Sequence, residues 1–409
     1  MNHLWSGSFL LATLASAACA EVPCPGGQGD CPPLSYCDAS RGICIWGIPE
    51  SGAGPVQFQC SLQAEMVRPS PAVADRFGAS VGISGDQIFV SAPNASSSGQ
   101  DQAGAVYAFS RSESFSQAHQ VVRDALYPDT ANEGFGTMIA ASGAGALIVA
   151  SMQNKQKGFW LPSGGTIQVL SAPAAMSPPD AAAVPMSGTM GVLASSSSWL
   201  AAYSLITPMA VPIACPSSSM ITKVIAADAG WIANVYSGTV RMYQYDSMCT
   251  QAADLVGMSD AKGVALAGTT LAATTSSFSP AVAVFTRSGS PASWAPGQVS
   301  TALPPGTAAS AGMMNKGDAK VALNGNLLAV GLPIIGEVWI YRQKSDGSWG
   351  APVALHDPHD NANATTAESA SQFGRALAVT PSQVVVGAEN AQDDGRTNNI
   401  GRAYVYACQ

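Results

Sequence analysis

The sequence predicts an all-β protein: a seven-bladed β-propeller of four-stranded antiparallel blades, preceded by a small disulfide-rich module. Three observations predict it. One hairpin pattern (three apolar residues, a short turn, three apolar residues) recurs seven times. The composition joins 47% hydrophobic residues to 41 Gly and 27 Pro, with only 11% charged residues where soluble proteins average about 25%. Four cysteines crowd into Cys24–Cys44, a stretch too short to bury a core of its own.

The same numbers exclude several classes. Disorder needs high charge and few apolar residues, the reverse of what is present. A length of 409 residues exceeds one ordinary compact domain but suits a closed repeat array. The net charge is −8 and no basic stripe exists, so a nucleic-acid partner is not expected.

Residues 1–20 read as an export signal, with an apolar stretch Phe9–Leu14 followed by small residues. Its first residues lack the usual Lys or Arg. Cleavage can follow Ala15-Ser16-Ala17 or Ala18-Cys19-Ala20. Alternatively, Ser16-Ala17-Ala18-Cys19 resembles a lipobox, which makes Cys19 a lipidation site. Removing Cys19, by cleavage after Ala20, or lipidating it leaves eight of nine cysteines, an even number suited to disulfides. The expected location is therefore outside the cell or on its outer surface. Ala181–Thr222 holds no charge, but Pro185, Pro208, Pro212 and Ser195–Ser198 interrupt it, so no membrane span is expected.

Residues 21–46 form the cysteine module, with Cys24, Cys31, Cys37 and Cys44 separated by six, five and six residues. Three pairings are open. The C-x-x-C pairs of a structural zinc site are missing. Residues 47–55 read as a linker, and 56–409 as the propeller.

The seven hairpins follow in order. They pair Val81-Gly82-Ile83 with Ile88-Phe89-Val90, and Met138-Ile139-Ala140 with Leu147-Ile148-Val149. Next come Val192-Leu193-Ala194 with Trp199-Leu200-Ala201, and Val224-Ile225-Ala226 with Trp231-Ile232-Ala233. The last three are Val264-Ala265-Leu266 with Leu271-Ala272-Ala273, Val321-Ala322-Leu323 with Leu327-Leu328-Ala329, and Leu377-Ala378-Val379 with Val384-Val385-Val386. Short polar turns join antiparallel neighbours. Unbroken apolar triplets mean that both faces of each hairpin are covered. A third strand follows, usually opened by Gly: Gly104–Phe109, Gly165–Leu170, Met209–Ala214, Gly238–Tyr243, Ala281–Phe285, Gly336–Tyr341 and Gly401–Tyr406. A more polar fourth strand, such as Trp349–Leu355, completes the blade.

Phe-Gly before the hairpin, Gly-Asp in its turn, Ala-Pro after it and Gly-x-Val-Tyr in the third strand resemble FG-GAP repeats. Blade 1 carries Phe77, Gly78, Gly85, Asp86, Ala92, Pro93, Gly104 and Tyr107. Blade 7 carries Phe373, Gly374, Gly387, Ala388, Gly401 and Tyr404, and blade 2 keeps Phe135, Gly136 and Gly165. Blades 3 to 6 keep only the hydrophobic rhythm. The resemblance implies the seven-bladed propeller of integrin α subunits and many bacterial surface proteins, and a binding or adhesion role. Related propellers bind calcium in D-x-D-x-D-G loops. Here turns such as Ser84-Gly85-Asp86 are too short and too poor in carboxylates, so no cofactor is expected.

Blade 7 lacks a fourth strand because the chain stops at Gln409. Val56–Leu62 can supply it, which sets Cys60 beside Cys408 and predicts a disulfide that clasps the ring. By elimination Cys215 pairs with Cys249, tying blade 3 to blade 4. Phe77 then fills an inter-blade gap, and Gly78 allows close approach.

Loops between second and third strands share a face with the loops that join blades. On that face the long loops fall in neighbouring blades 7, 1 and 2: Asn94–Ala103, Gln153–Gly164 and Glu389–Ile400, with the joining loop His356–Gln372. The candidate binding residues there are Asp101, Lys155, Phe159, Trp160, Asp393, Asp394 and Arg396. The expected partner is a protein or glycan, met by a monomer. No catalytic constellation is evident. His356-Asp357-Pro358-His359-Asp360 offers metal-ligand types, yet such a loop is more often solvated. Ser195–Ser198 has no His and Asp partners placed by a motif. The readings left beside binding are a hydrolase with a site at the channel mouth and a structural envelope protein.

Overall fold

The computed structural model describes residues 22–23, 35–38, 43–46, 58–121, 129–152, 155–170, 181–183, 190–195, 199–205, 213–215, 225–228, 230–236, 238–245, 248–255, 261–275, 282–289, 293–300, 319–359, 371–392 and 399–409. The chain divides into two compact units, Met1–Gln57 and Phe58–Gln409. In the first, β1 (Val22–Pro23), β2 (Ser35–Asp38) and β3 (Ile43–Trp46) form one sheet in the order β1-β3-β2. Cys37 and Cys44 face each other as Cα partners across β2 and β3. The expected signal with Cys19, the cysteines Cys24 and Cys31, and the linker 47–55 lie outside the described residues.

The second unit is seven four-stranded antiparallel sheets. The clasping strand β4 (Cys60–Met66) comes first in the chain. Blade 1 is β5 (Val81–Ser84), β6 (Gln87–Ala92), β7 (Ala105–Ser110) and β8 (Ala118–Gln120). Blade 2 is β9 (Phe135–Ser142), β10 (Gly145–Met152), β11 (Lys155–Pro162) and β12 (Gln168–Leu170). Blade 3 is β13 (Ala181–Ala183), β14 (Met190–Ser195), β15 (Trp199–Ser204) and β16 (Ile213–Cys215). Blade 4 is β17 (Ile225–Asp228), β18 (Trp231–Tyr236), β19 (Thr239–Tyr245) and β20 (Cys249–Asp254). Blade 5 is β21 (Ala261–Ala267), β22 (Thr270–Thr275), β23 (Val282–Ser288) and β24 (Ser293–Ser300). Blade 6 is β25 (Lys320–Asn324), β26 (Leu327–Leu332), β27 (Glu337–Arg342) and β28 (Val353–His356). Blade 7 is β29 (Phe373–Val379), β30 (Gln383–Ala388) and β31 (Arg402–Cys408), with β4 as its outermost strand.

The first strands lie innermost, each against its neighbours on both sides, and β29 meets β5 to close the ring. The core is a set of seams between adjacent blades. Strand alternation builds them. In β6, Ile88 and Val90 pack with Val385 and Val405 of blade 7, whereas Phe89 between them packs with Phe135 and Ile148 of blade 2. This explains the apolar triplets: each central strand is covered on both faces.

Where Phe-Gly is kept, the seam is tighter. Phe77 is fully buried, with its ring 6.0 Å from that of Tyr107 and 6.2 Å from that of Phe109. Its backbone bridges to Gly401 of blade 7. A Cβ on Gly401 would stand 2.1 Å from the Phe77 carbonyl oxygen, and one on Gly78 would stand 2.2 Å from the Arg402 carbonyl oxygen. Both glycines also have positive φ, +74° and +87°.

The ring closes as expected, with a shifted strand. β4 begins at Cys60, and Cys60 and Cys408 are Cα partners joined by a disulfide that spans 348 residues. A second disulfide joins Cys215 of β16 to Cys249 of β20, the outermost strands of blades 3 and 4.

Blades 2, 3 and 6 differ from the sequence expectation. In blade 2 the third strand is β11, not Gly165–Leu170, whose last residues form the outermost strand β12. The expected loop Gln153–Gly164 therefore shrinks to the two residues between β10 and β11. The polar run Asn154–Lys157 hid a strand whose apolar part, Gly158–Leu161, pairs with Ala146–Val149. In blade 3 the apolar hairpin forms the second and third strands. The innermost place goes to Ala181–Ala183, and of the expected third strand Met209–Ala214 the described residues, Ile213 and Ala214, fall in the outermost β16. Three alanines carry no periodicity to read. In blade 6 the fourth strand starts at Val353 rather than Trp349, which instead forms a bridge with Gln343.

Candidate functional site

Antiparallel order puts the loops between second and third strands on one face, together with the loops that join blades. On this joining face, the junction of blades 7 and 1 gathers a buried ionic scaffold. Glu389 follows β30 and has a side chain only 5% exposed. Arg76, just before Phe77, donates from Nε and Nη2 to its Oε2 at 3.0 and 2.6 Å. Arg375 of β29 stands 3.4 Å from the other oxygen. One buried carboxylate thus bolts the entry of blade 1 to two segments of blade 7. Partner removal at such a site leaves a buried charge uncompensated.

A second bond set fixes the same entry loop. Arg68 pairs with Asp75, and its Nε donates to the Tyr107 hydroxyl at 2.8 Å. The Ala72 N–H donates to Asp75 at 2.9 Å. A third set lies beside β4. Glu65 pairs with Arg402 and stands 2.8 Å from His359 Nε2. Asp357, buried, accepts from the Tyr404 hydroxyl at 2.8 Å and from the His359 N–H at 2.9 Å. Burial, and then the Asp357 charge beside it, pushes the Tyr404 hydroxyl far above its ordinary titration range. It stays a neutral donor.

The sequence-predicted residues separate on this frame. Asp101 is exposed in the loop after β6; the Ser96 hydroxyl lies 3.3 Å from Oδ1, and the Asp101 carbonyl accepts from Asn132 at 2.8 Å. Phe159 and Trp160 are not loop residues. They are 0% and 2% exposed on β11, facing the seams with blades 1 and 3 respectively. Phe159 packs edge-to-face on Phe135 at 5.2 Å. Both leave the candidate site, and blade 2 leaves with them. Lys155 opens β11 rather than a loop. Asp393, Asp394 and Arg396 lie outside the described residues; Gln392 and Asn399, which flank their loop, pair in a bridge.

The histidines of the joining loop do not share a site. His356 Nδ1 is 3.9 Å from Glu337, whereas His359 turns to Glu65, and Asp360 lies outside the described residues. Among the described residues, no three His, Cys, Asp or Glu side chains gather to hold a metal ion.

Sequence reasoning missed Arg68, Asp75, Arg76, Arg375 and Glu389. A signal existed: Arg76 and Arg375 flank the two best Phe-Gly motifs, as Arg76-Phe77-Gly78 and Phe373-Gly374-Arg375.

The family model for the FG-GAP repeat matches residues 61–109, from β4 through the first three strands of blade 1. Residues 61–109 are thus similar to an FG-GAP repeat, and they sit within a seven-bladed propeller. The matched segment contains Phe77, Gly78 and Gly104, and these two glycines lie at tight seams, whereas its turn glycine Gly85 has open space around it. Solved structures share the fold. The WD40 repeats of RRP9 superpose with a TM-score of 0.53 at 11% identity, covering 86% of this chain and 100% of that one. U3-55K superposes at 0.51 and 10% identity, covering 85% and 98%. A search of curated proteins finds no match. FG-GAP repeats and disulfides such as Cys60–Cys408 and Cys215–Cys249 are typical of extracellular proteins. Among the described residues, no helix is long and apolar enough to cross a membrane.

Proposed function

We propose that this FG-GAP propeller is an exported recognition module, free or held at the outer surface through Cys19. It acts by binding a protein or glycan with loops on its joining face. The residues in contact are Asp101 after β6 and Asp393, Asp394 and Arg396 after β30. The observation that carries this reading is the Arg76–Glu389–Arg375 bolt, which ties the base of the loop after β30 to the entry segment of blade 1; that segment in turn holds the base of the loop after β6, where the Asn94 N–H donates to the Asp75 carbonyl at 3.2 Å. Long loops on a rigid base lose less freedom on binding. The module turns over no substrate, needs no cofactor and works as a monomer.

The test is a screen of arrayed extracellular proteins and glycans with two forms of the protein. One is wild type, and the other carries Asp101→Ala, Asp393→Ala, Asp394→Ala and Arg396→Ala together. The reading expects ligands held by wild type and lost by the variant. Ligands held equally by both forms would overturn it.

A further inference from the structure

We propose that β4 is a releasable strap held by two separate latches, one redox and one ionic. The strap belongs in sequence to the entry of blade 1, yet completes blade 7 by pairing with β31. It is thinly buried for a strand that closes a ring. Met66 is its one buried residue, and Ser61, Leu62 and Gln63 are exposed. Its hold therefore rests on ladder bonds and on its two ends.

The redox latch is the Cys60–Cys408 disulfide at one end. Cys60 is half-buried and Cys408 buried, so a dithiol reductant meets the Cys60 side first. The S–S bond takes two electrons and two protons, leaving two thiols, and the dithiol becomes a cyclic disulfide. The ionic latch is Glu65 at the other end. It grips Arg402, whose side chain is 7% exposed, and His359, which arrives from the loop joining blades 6 and 7. Asp357 and Tyr404 hold that loop in place. The latches share no residue and sit at opposite ends of the strap. Either alone keeps β4 seated; with both open, β4 leaves and bares the edge of β31.

The experiment is hydrogen exchange of the full chain with and without dithiothreitol, for wild type and Glu65→Gln. Oxidised wild type, reduced wild type and oxidised Glu65→Gln keep the β4 and β31 amides slow. In reduced Glu65→Gln those amides exchange roughly tenfold faster or more, while the β5–β6 hairpin stays protected. Three results would overturn the proposal: release by reduction alone, no release in the reduced variant, or loss of protection in every blade at once. If Glu65→Gln fails to fold, His359→Gln reads the same latch from a side chain that is 38% exposed.

Discussion

The arc of blades 6, 7, 1 and 2 is joined differently from the arc of blades 3, 4 and 5. In the first arc, backbone meets backbone. Added Cβ atoms would stand 2.3 Å from the Gly374 carbonyl at Gly331, 2.1 Å from the Phe77 carbonyl at Gly401 and 2.2 Å from the Phe135 nitrogen at Gly104. In the second arc, side chains do the joining. Gly158 of blade 2 faces the Leu193 side chain, and blades 3 and 4 share an apolar seam and the Cys215–Cys249 disulfide. Asp228 of blade 4 accepts from the Gly268 N–H of blade 5 at 2.6 Å. The difference shows what Phe-Gly is for. It is a joint between blades, and where it is lost, apolar packing and a covalent bond carry the seam.

The largest expected effect tests the corrected site. Trp160→Ala should destabilise the protein by about 3–5 kcal/mol in denaturant unfolding, because a large buried ring is lost. Ligand affinity per folded molecule should not change; a specific binding loss with unchanged stability would restore Trp160 to the site.

The joints come next. Gly401→Ala sets a Cβ against backbone at positive φ and should cost about 3 kcal/mol or more. Gly158→Ala meets the movable end of Leu193 and should cost about 1–3 kcal/mol. Gly143→Ala, with open space around it, should stay within about 0.5 kcal/mol. Similar costs for Gly401 and Gly158 would erase the contrast between the arcs.

The disulfides sharpen the same comparison. Cys60–Cys408 closes 348 residues and Cys215–Cys249 closes 34. In the chain-entropy model, removing the first should cost about 2 kcal/mol more than removing the second. Thermal unfolding of the two double Cys→Ser variants measures this, and equal losses would show that strand docking outweighs loop length.

The repeats were legible because strand alternation writes itself into apolar triplets such as Ile88-Phe89-Val90. The clasp was legible because seven hairpins left blade 7 one strand short and put a cysteine at each end. β11 was not, since its polar start resembles a loop. The Arg76–Glu389 pair was hidden for another reason: its partners lie 313 residues apart, and no local pattern links them. Of the candidate site, sequence found the loop after β6, mistook β11 for a loop and missed the scaffold beneath.

The smallest effect is an alkaline one. Burial, with a lesser contribution from Asp228, pushes the Tyr245 hydroxyl up to about 12. The unfolded chain loses that proton near pH 10, and the folded chain only later. Stability is thus fully present below about pH 10 and falls as pH rises toward 12. Unfolding followed across that range should show the decline, and Tyr245→Phe should flatten part of it.

Native-state hydrogen exchange across a denaturant series tests the central claim most directly. The Gly78 and Phe135 amides donate to Ser91 and Ala103 at 2.8 Å within the tight joints. They should exchange only through global unfolding. The Val192–Ala194 amides of blade 3 should open at lower free energy, through a partial unfolding. Equal protection in both regions, or earlier opening at Gly78 and Phe135, would contradict the division into a backbone-joined arc and a side-chain-joined one.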